Sequence, residues 1–346
     1  MERVSQLLLR NTERLAAGEI LLFNPSPDNL FQELIRTGRQ VRILSQDFGD
    51  FRWFNDNGAH AAFGVLPDAT ALPSQIVLYQ PREKERLDML LHFLAATMHP
   101  GGSLWLVGDN AAGIKTAGKR LGLFFGKVTH VDSARHGALF QASQPAVSTA
   151  FVPEKYQQKW LLGDAPNELR MVSLPGAFAH GRLDRGTQAL LDVLAQLQRK
   201  DRPSGNVLDF GCGIGVIGLT LLQRDTSIDL TLLDNSALAL ESARLSMLAN
   251  ALQARLLPSS GLGEVRQRFD WIVSNPPFHR GVVTRYDIAR DFFKQARHVL
   301  TRQGKILLVC NRHLPYEGWL AEQFGEVENL SGTSEFKVLR ASRPKS

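Results

Sequence analysis

The run VSNPPFH, residues 273–279, closes an apolar stretch with an amide, two prolines and an aromatic ring. A residue that precedes proline is restricted to extended backbone, so Asn275 is held straight. Pro276 and Pro277 have fixed φ and no N–H, which leaves their carbonyls as acceptors on a stiff frame. The Asn275 side-chain oxygen and the Pro276 carbonyl can then accept both hydrogens of one NH2 group. The Phe278 ring can stack on the planar system that carries it. Such an amine is a poor nucleophile, because its lone pair is delocalised. Two acceptors on its hydrogens favour the pyramidal, attacking form. A rigid strand-ending turn with a core Phe would use the same residues. His279 fits a substrate contact and an exposed turn position equally well.

Upstream, VLDFGCGIGVIGL (207–219) reads as strand, glycine turn and helix. Gly213, Gly215 and Gly218 satisfy GxGxxG, which alone is a weak dinucleotide signal. Asp209 separates the options. A carboxylate facing the loop would repel a pyrophosphate and attract the ammonium and sulfonium of S-adenosylmethionine. Its other reading is a charge at a helix N-terminus. Gly211 and Gly213 would let the backbone approach the ligand. Asp234 closes the next strand, where a carboxylate can hold a ribose diol or cap the following helix. In LLPSSGLGEV (256–265), Ser260 is the candidate adenine contact, with a plain turn as the alternative.

These groups need strand ends to hold them, and the strands occur twice. EILLFNPSPD (19–28) faces NVLDFGCGIG (206–215), and VRILSQD (41–47) faces LTLLDNS (230–236). QIVLYQP (75–81) faces WIVSNPP (271–277), and GGSLWLVGDN (101–110) faces QGKILLVCNR (303–312). Between them, 28–38, 86–98, 216–225 and 290–300 have helical apolar spacing. Apolar strands alternating with helices imply an α/β fold, mostly parallel sheet with helices on both faces. The reading is two tandem Rossmann-like domains: 1–145, a Pro-, Ser- and Gln-rich linker at 146–165, and 166–346. Phe151, Tyr156 and Trp160 suggest that the linker packs rather than hangs free.

At 346 residues, the chain has room for two domains. Forty Lys and Arg against 34 Asp and Glu give +6, compatible with a polyanionic partner or with solubility alone. QPREKER (80–86), GIKTAGKRLG (113–122) and RASRPKS (340–346) offer phosphate contacts or simply solvated faces. Cys212 and Cys310 lie in no CxxC or Cys/His cluster, so no metal site or disulfide framework is expected. They suit a reducing cytoplasm. No signal peptide or membrane-length apolar run is evident, so no membrane partner is expected.

Taken in order, VLDFGCGIG, LLD and SNPPFH resemble class I S-adenosylmethionine-dependent methyltransferases acting on exocyclic or amide nitrogens. With SLPGAFAHGRLDRGTQALLDVL (173–194) and the degenerate first half, the chain resembles the ribosomal small-subunit guanine-N2 methyltransferases of the RsmC type. The resemblance implies two methyltransferase-fold domains, of which the second alone binds cofactor. It implies methylation of a guanosine N2 in 16S rRNA; the expected partner is that RNA within a 30S particle, and the expected state a monomer. Asp209, Gly211, Gly213, Asp234 and Asn275 carry over as cofactor contacts, and Asn275, Pro276 and Phe278 as the amine-binding motif. Phe178 and Thr187, with Pro277 and His279, fall where a substrate pocket is expected; packing of a lead-in strand and helix is the other reading of the first two. LPSSGL departs from the family's acidic or Asn-bearing version. In the first half Leu22, Asn24, Ser26, Ser45 and Tyr79 replace the groups that binding and catalysis would need.

Other readings stay open. The closely similar RlmG type acts on 23S rRNA, and such turns also serve protein glutamine amides and adenine or cytosine amines in DNA. A non-catalytic RNA-binding or assembly factor would not require an intact glycine loop and NPPF. A nicotinamide oxidoreductase places Asp209 badly for pyrophosphate.

Overall fold

A computed structural model describes residues 1–147, 149–164, 168–276 and 284–345. The chain divides into two compact units, Met1–Gln157 and Gln158–Ser346.

The first unit has strands β1 (Glu19–Phe23), β2 (Gln40–Ser45), β3 (His60–Phe63), β4 (Gln75–Tyr79), β5 (Ser103–Asp109), β6 (Phe125–Ala134) and β7 (Gly137–Pro145). Helices α1 (Arg3–Arg10), α2 (Leu30–Arg36), α3 (Phe48–Asp56), α4 (Lys84–Thr97) and α5 (Ala117–Leu121) accompany them. The sheet order is β3-β2-β1-β4-β5-β7-β6. Pairing is parallel from β3 to β5, and β7 runs antiparallel to β5 and β6.

The second unit begins with a two-stranded sheet, β8 (Gln158–Leu162) on β9 (Leu169–Ser173). Then follow α6 (Arg185–Gln196), β10 (Asn206–Phe210), α7 (Val216–Arg224), β11 (Asp229–Asp234), α8 (Ala237–Ala249) and β12 (Arg255–Pro258). The chain ends through β13 (Phe269–Ser274), α9 (Thr284–Val299), β14 (Leu300–Asn311), α10 (Tyr316–Gln323), β15 (Phe324–Gly332) and β16 (Phe336–Pro344). Its main sheet has the order β12-β11-β10-β13-β14-β16-β15.

The two orders are the same pattern, and so is the register. Ile20 pairs with Gln75, and Gln75 with Ser103. In the second unit Val207 pairs with Trp271, and Trp271 with Lys305. These are the residues that the sequence echo matches. The central strands are legible because parallel strands buried on both faces read as apolar runs. The antiparallel pairs β6–β7 and β15–β16 escape that reading. β6 is an edge strand with much of its length exposed, so its sequence lacks an apolar run.

Alternation along β10 decides what each residue meets. Leu208 and Phe210 join a core cluster with Phe292, Phe293 and Leu320 from α9 and α10. The Phe210 and Phe292 rings lie 4.3 Å apart. Asp209, between them in sequence, faces the other side, beneath α7.

The stretch 146–165 is shared between the units. Phe151 and Tyr156 stack at 5.8 Å, and the Tyr156 hydroxyl and His92 Nδ1 are 2.8 Å apart. Trp160 lies in β8, so the second unit's structure begins earlier than residue 166.

Candidate functional site

The site is built on the carboxyl edge of the second sheet, where open α/β folds place their ligands. Past β10 the backbone turns through Gly211, Gly213 and Gly215, with φ of 66°, 55° and 87°. A Cβ at Gly213 would meet nothing within 4 Å, so the backbone conformation is what requires glycine there. Asp234, ending β11, braces this loop. Its Oδ2 accepts from Gly213 N at 2.8 Å, and its Oδ1 from Ser236 N at 2.9 Å.

Asp209 corrects the expectation that it faces the loop's ligand. It is fully buried, and Oδ2 accepts from Gly218 N at 2.8 Å. Helix α7 has Gly215 at its N-cap and no side-chain cap of its own, so the strand carboxylate supplies one. Oδ1 is buried without a hydrogen-bond partner. Burial pushes the carboxyl up to about 7; the Gly218 hydrogen bond opposes this and nearby Asp234 adds to it. In this geometry Asp209 reaches a ligand only through the loop that it anchors.

Asn275 follows β13. Ser274 Oγ donates to Phe210 O at 2.7 Å, tying that strand end to the glycine loop. The Asn275 amide nitrogen donates to Asp184 Oδ2 at 2.8 Å and to Thr187 Oγ1 at 3.0 Å. Asp184 is the N-cap of α6, where it also accepts from Thr187 N at 3.0 Å. Asn275, Thr187, Phe178, Gly211 and Gly213 line one cleft, together with Asp184 and Arg182. Five residues singled out in the sequence are thus brought together from three separate segments. The enclosed part holds about 30 Å³, room for a very small group. Phe178 is 51% exposed, an aromatic face open to stacking.

Other expected residues fall elsewhere. Pro276 is buried directly after Asn275. Pro277, Phe278 and His279 lie outside the described residues. Ser260, the candidate adenine contact, is exposed and lies outside this cleft. Its neighbour Ser259 is buried and makes the turn, through backbone N to Asp234 O at 3.1 Å and hydroxyl to Gly261 O at 2.7 Å. Some basic candidates are already paired: Arg120 with Asp88, and Arg343 with Glu326. Sequence reasoning missed Asp184. Its signal was present, an Asp immediately before the apolar periodicity of α6. What it could not disclose was a partner 91 positions away.

Comparison with known proteins follows the same division. Residues 168–340 match the Methyltransferase small domain, and residues 5–160 the Methyltransferase small domain N-terminal. The chain is 37% identical to ribosomal RNA small subunit methyltransferase C of Hahella chejuensis, covering 98% of each protein. It is 36% identical to the protein of that name from Stutzerimonas stutzeri, covering 99% of this chain and 100% of the relative. Among solved structures it resembles the T. thermophilus 16S rRNA N2 G1207 methyltransferase in complex with AdoMet and guanosine. The TM-score is 0.83 at 26% identity, over 99% of this chain and 92% of that one. With two methyltransferase-like domains and full-length relatives at this identity, the chain belongs to the ribosomal RNA small subunit methyltransferase C family.

Proposed function

We propose that the protein transfers a methyl group from S-adenosylmethionine to the exocyclic N2 of a guanosine in 16S rRNA. The substrate is the RNA within a 30S particle, and the enzyme works as a cytoplasmic monomer. The observation that carries this reading is Asn275, held at a strand end in the same cleft as the glycine loop. S-adenosylmethionine supplies an electrophilic methyl. Gly211 and Gly213 would bring backbone close to it, and Asp234 fixes their loop and would meet the ribose diol. Asn275 Oδ1 and the Pro276 carbonyl accept the two amine hydrogens, and Phe178 offers an exposed face to the base. No strong base is required, since the proton can leave after methyl transfer.

The first unit takes no cofactor in this account and serves as scaffold and RNA-positioning surface. At the positions matching Gly211 and Asn235, Asn24 and Gln46 bond each other: Asn24 Nδ2 to Gln46 Oε1 and Gln46 N to Asn24 Oδ1, both 2.9 Å. Arg86 Nε donates to the same Gln46 oxygen at 2.9 Å. Tyr79, matching Asn275, is buried with its hydroxyl 2.9 Å from Ser5 Oγ. Hydrogen-bonded side chains thus stand where the second unit has glycine, along a cleft of about 360 Å³ that Ser26 and Tyr79 also line.

The test is radiolabelled methyl transfer to 30S particles, naked 16S rRNA, 50S particles and DNA, followed by nucleoside analysis. Label in N2-methylguanosine from 30S particles is expected. Transfer confined to 50S particles or DNA would overturn the substrate assignment.

A further inference from the structure

We propose that Asp184 and Thr187 are positioning residues that set which way the Asn275 amide faces, and so which of its atoms meets the acceptor amine. The proposal rests on the reading of Asn275 as an amine-binding group. An Asn side chain is nearly symmetric in shape, so sterics alone leave its oxygen and nitrogen interchangeable. Catalysis as described needs the oxygen toward the amine; the reversed amide would set NH2 against NH2.

The contacts choose between the two. A carboxylate has no hydrogen to give, so the amide atom 2.8 Å from Asp184 Oδ2 has to be the nitrogen. Flipping the amide would bring two acceptors together at that distance. Thr187 Oγ1, 3.0 Å from the same nitrogen, takes the second N–H. With both N–H bonds directed to α6, Oδ1 is the atom left for a donor in the cleft. Gly186 permits the approach. A Cβ there would lie 3.1 Å from Asp184 Oδ2, 3.2 Å from Phe336 Cε1 and 3.4 Å from Asn275 Nδ2. The fixed helix start thus does for the amide what preorganised dipoles do in general, so no reorientation is needed during reaction.

Asp184 also caps α6, so the test has to separate the two roles. Asp184→Ser retains a capping hydroxyl on a side chain too short to reach Asn275. Thr187→Val removes the hydroxyl and keeps the shape, and Thr187→Ser restores it. Single-turnover methyl transfer by the full chain should fall about tenfold to a hundredfold in Asp184→Ser. Thr187→Val should fall less, Thr187→Ser should recover, and KM for the methyl donor should not move. Combined with Asn275→Ala, Asp184→Ser should add nothing further. An equal, additive loss in that background would assign Asp184 to structure alone and overturn the proposal.

A second readout needs no substrate. In protein labelled with 15N only at Asn, the Asn275 side-chain NH2 should be protected from exchange, and Asp184→Ser should abolish the protection. An NH2 that exchanges in the native protein like a free amide would overturn the proposal whatever the substrate. If the NH2 is protected and Asp184→Ser frees it, yet no RNA is methylated, the substrate reading fails and the positioning stands.

Discussion

A carboxylate with no exposure, one oxygen capping a helix and the other without a partner, is an expensive residue to keep in a core. For Asp209 the consequence is a sign that can be measured. Burial pushes its carboxyl up to about 7 in the folded protein, against an ordinary 3.8. Between those values the native state holds a proton that the unfolded chain has released, so stability falls as pH rises across the window. Asp209→Asn still accepts from Gly218 N and cannot ionise. Urea midpoints should nearly coincide for the two proteins at about pH 4, and the variant should be the more stable at about pH 8. A wild-type advantage that grows with pH would contradict the assignment. The sequence showed that a carboxylate stood before the glycines, and not which way it turned. Strand alternation sets that direction: Asp209 shares its face with Val207 rather than with Phe210.

At the scale of elements, the strand–loop–helix unit from β10 to α7 depends on one close approach. A Cβ on Gly218 would lie 2.6 Å from Leu232 Cδ2 and 3.0 Å from Asp209 Oδ2. Gly218→Ala should therefore destabilise the fold by about 1–3 kcal/mol, despite the better helix propensity of Ala. Chemical denaturation would show it, and an unchanged or raised midpoint would argue that the helix can shift at little cost. The strand ends that carry Asp234 and Asn275 were legible, because apolar runs stop at a polar residue. The contact between Asn275 and the start of α6 was not. It joins positions 91 residues apart, and local pattern holds no record of such a pairing. The Ser259–Ser260 pair shows the same limit at short range: composition marks a turn, and only the folded backbone decides which serine is buried.

At the scale of the whole molecule, one sheet topology is used twice, with pairing in the same register. The sequence echo disclosed this because four apolar strands in fixed order are hard to match by accident. The hairpins that close each sheet went unread, since an exposed edge strand lacks the apolar signature. Sharing a fold does not mean sharing a site. Where the second unit has a glycine loop, the first carries the hydrogen-bonded side chains of Asn24, Gln46 and Arg86. Equilibrium binding to the full chain should thus give one S-adenosylmethionine per molecule. A stoichiometry of two would refute the inert first unit. Among the described residues, no helix is long and apolar enough to cross a membrane.

The most direct measurement compares the native chain with Asn275→Ala in single-turnover methyl transfer to 30S particles at saturating methyl donor. The account predicts a loss of about a hundredfold or more, with affinity for S-adenosylmethionine little changed and the residual label still at guanosine N2. Undiminished transfer by the variant would contradict it.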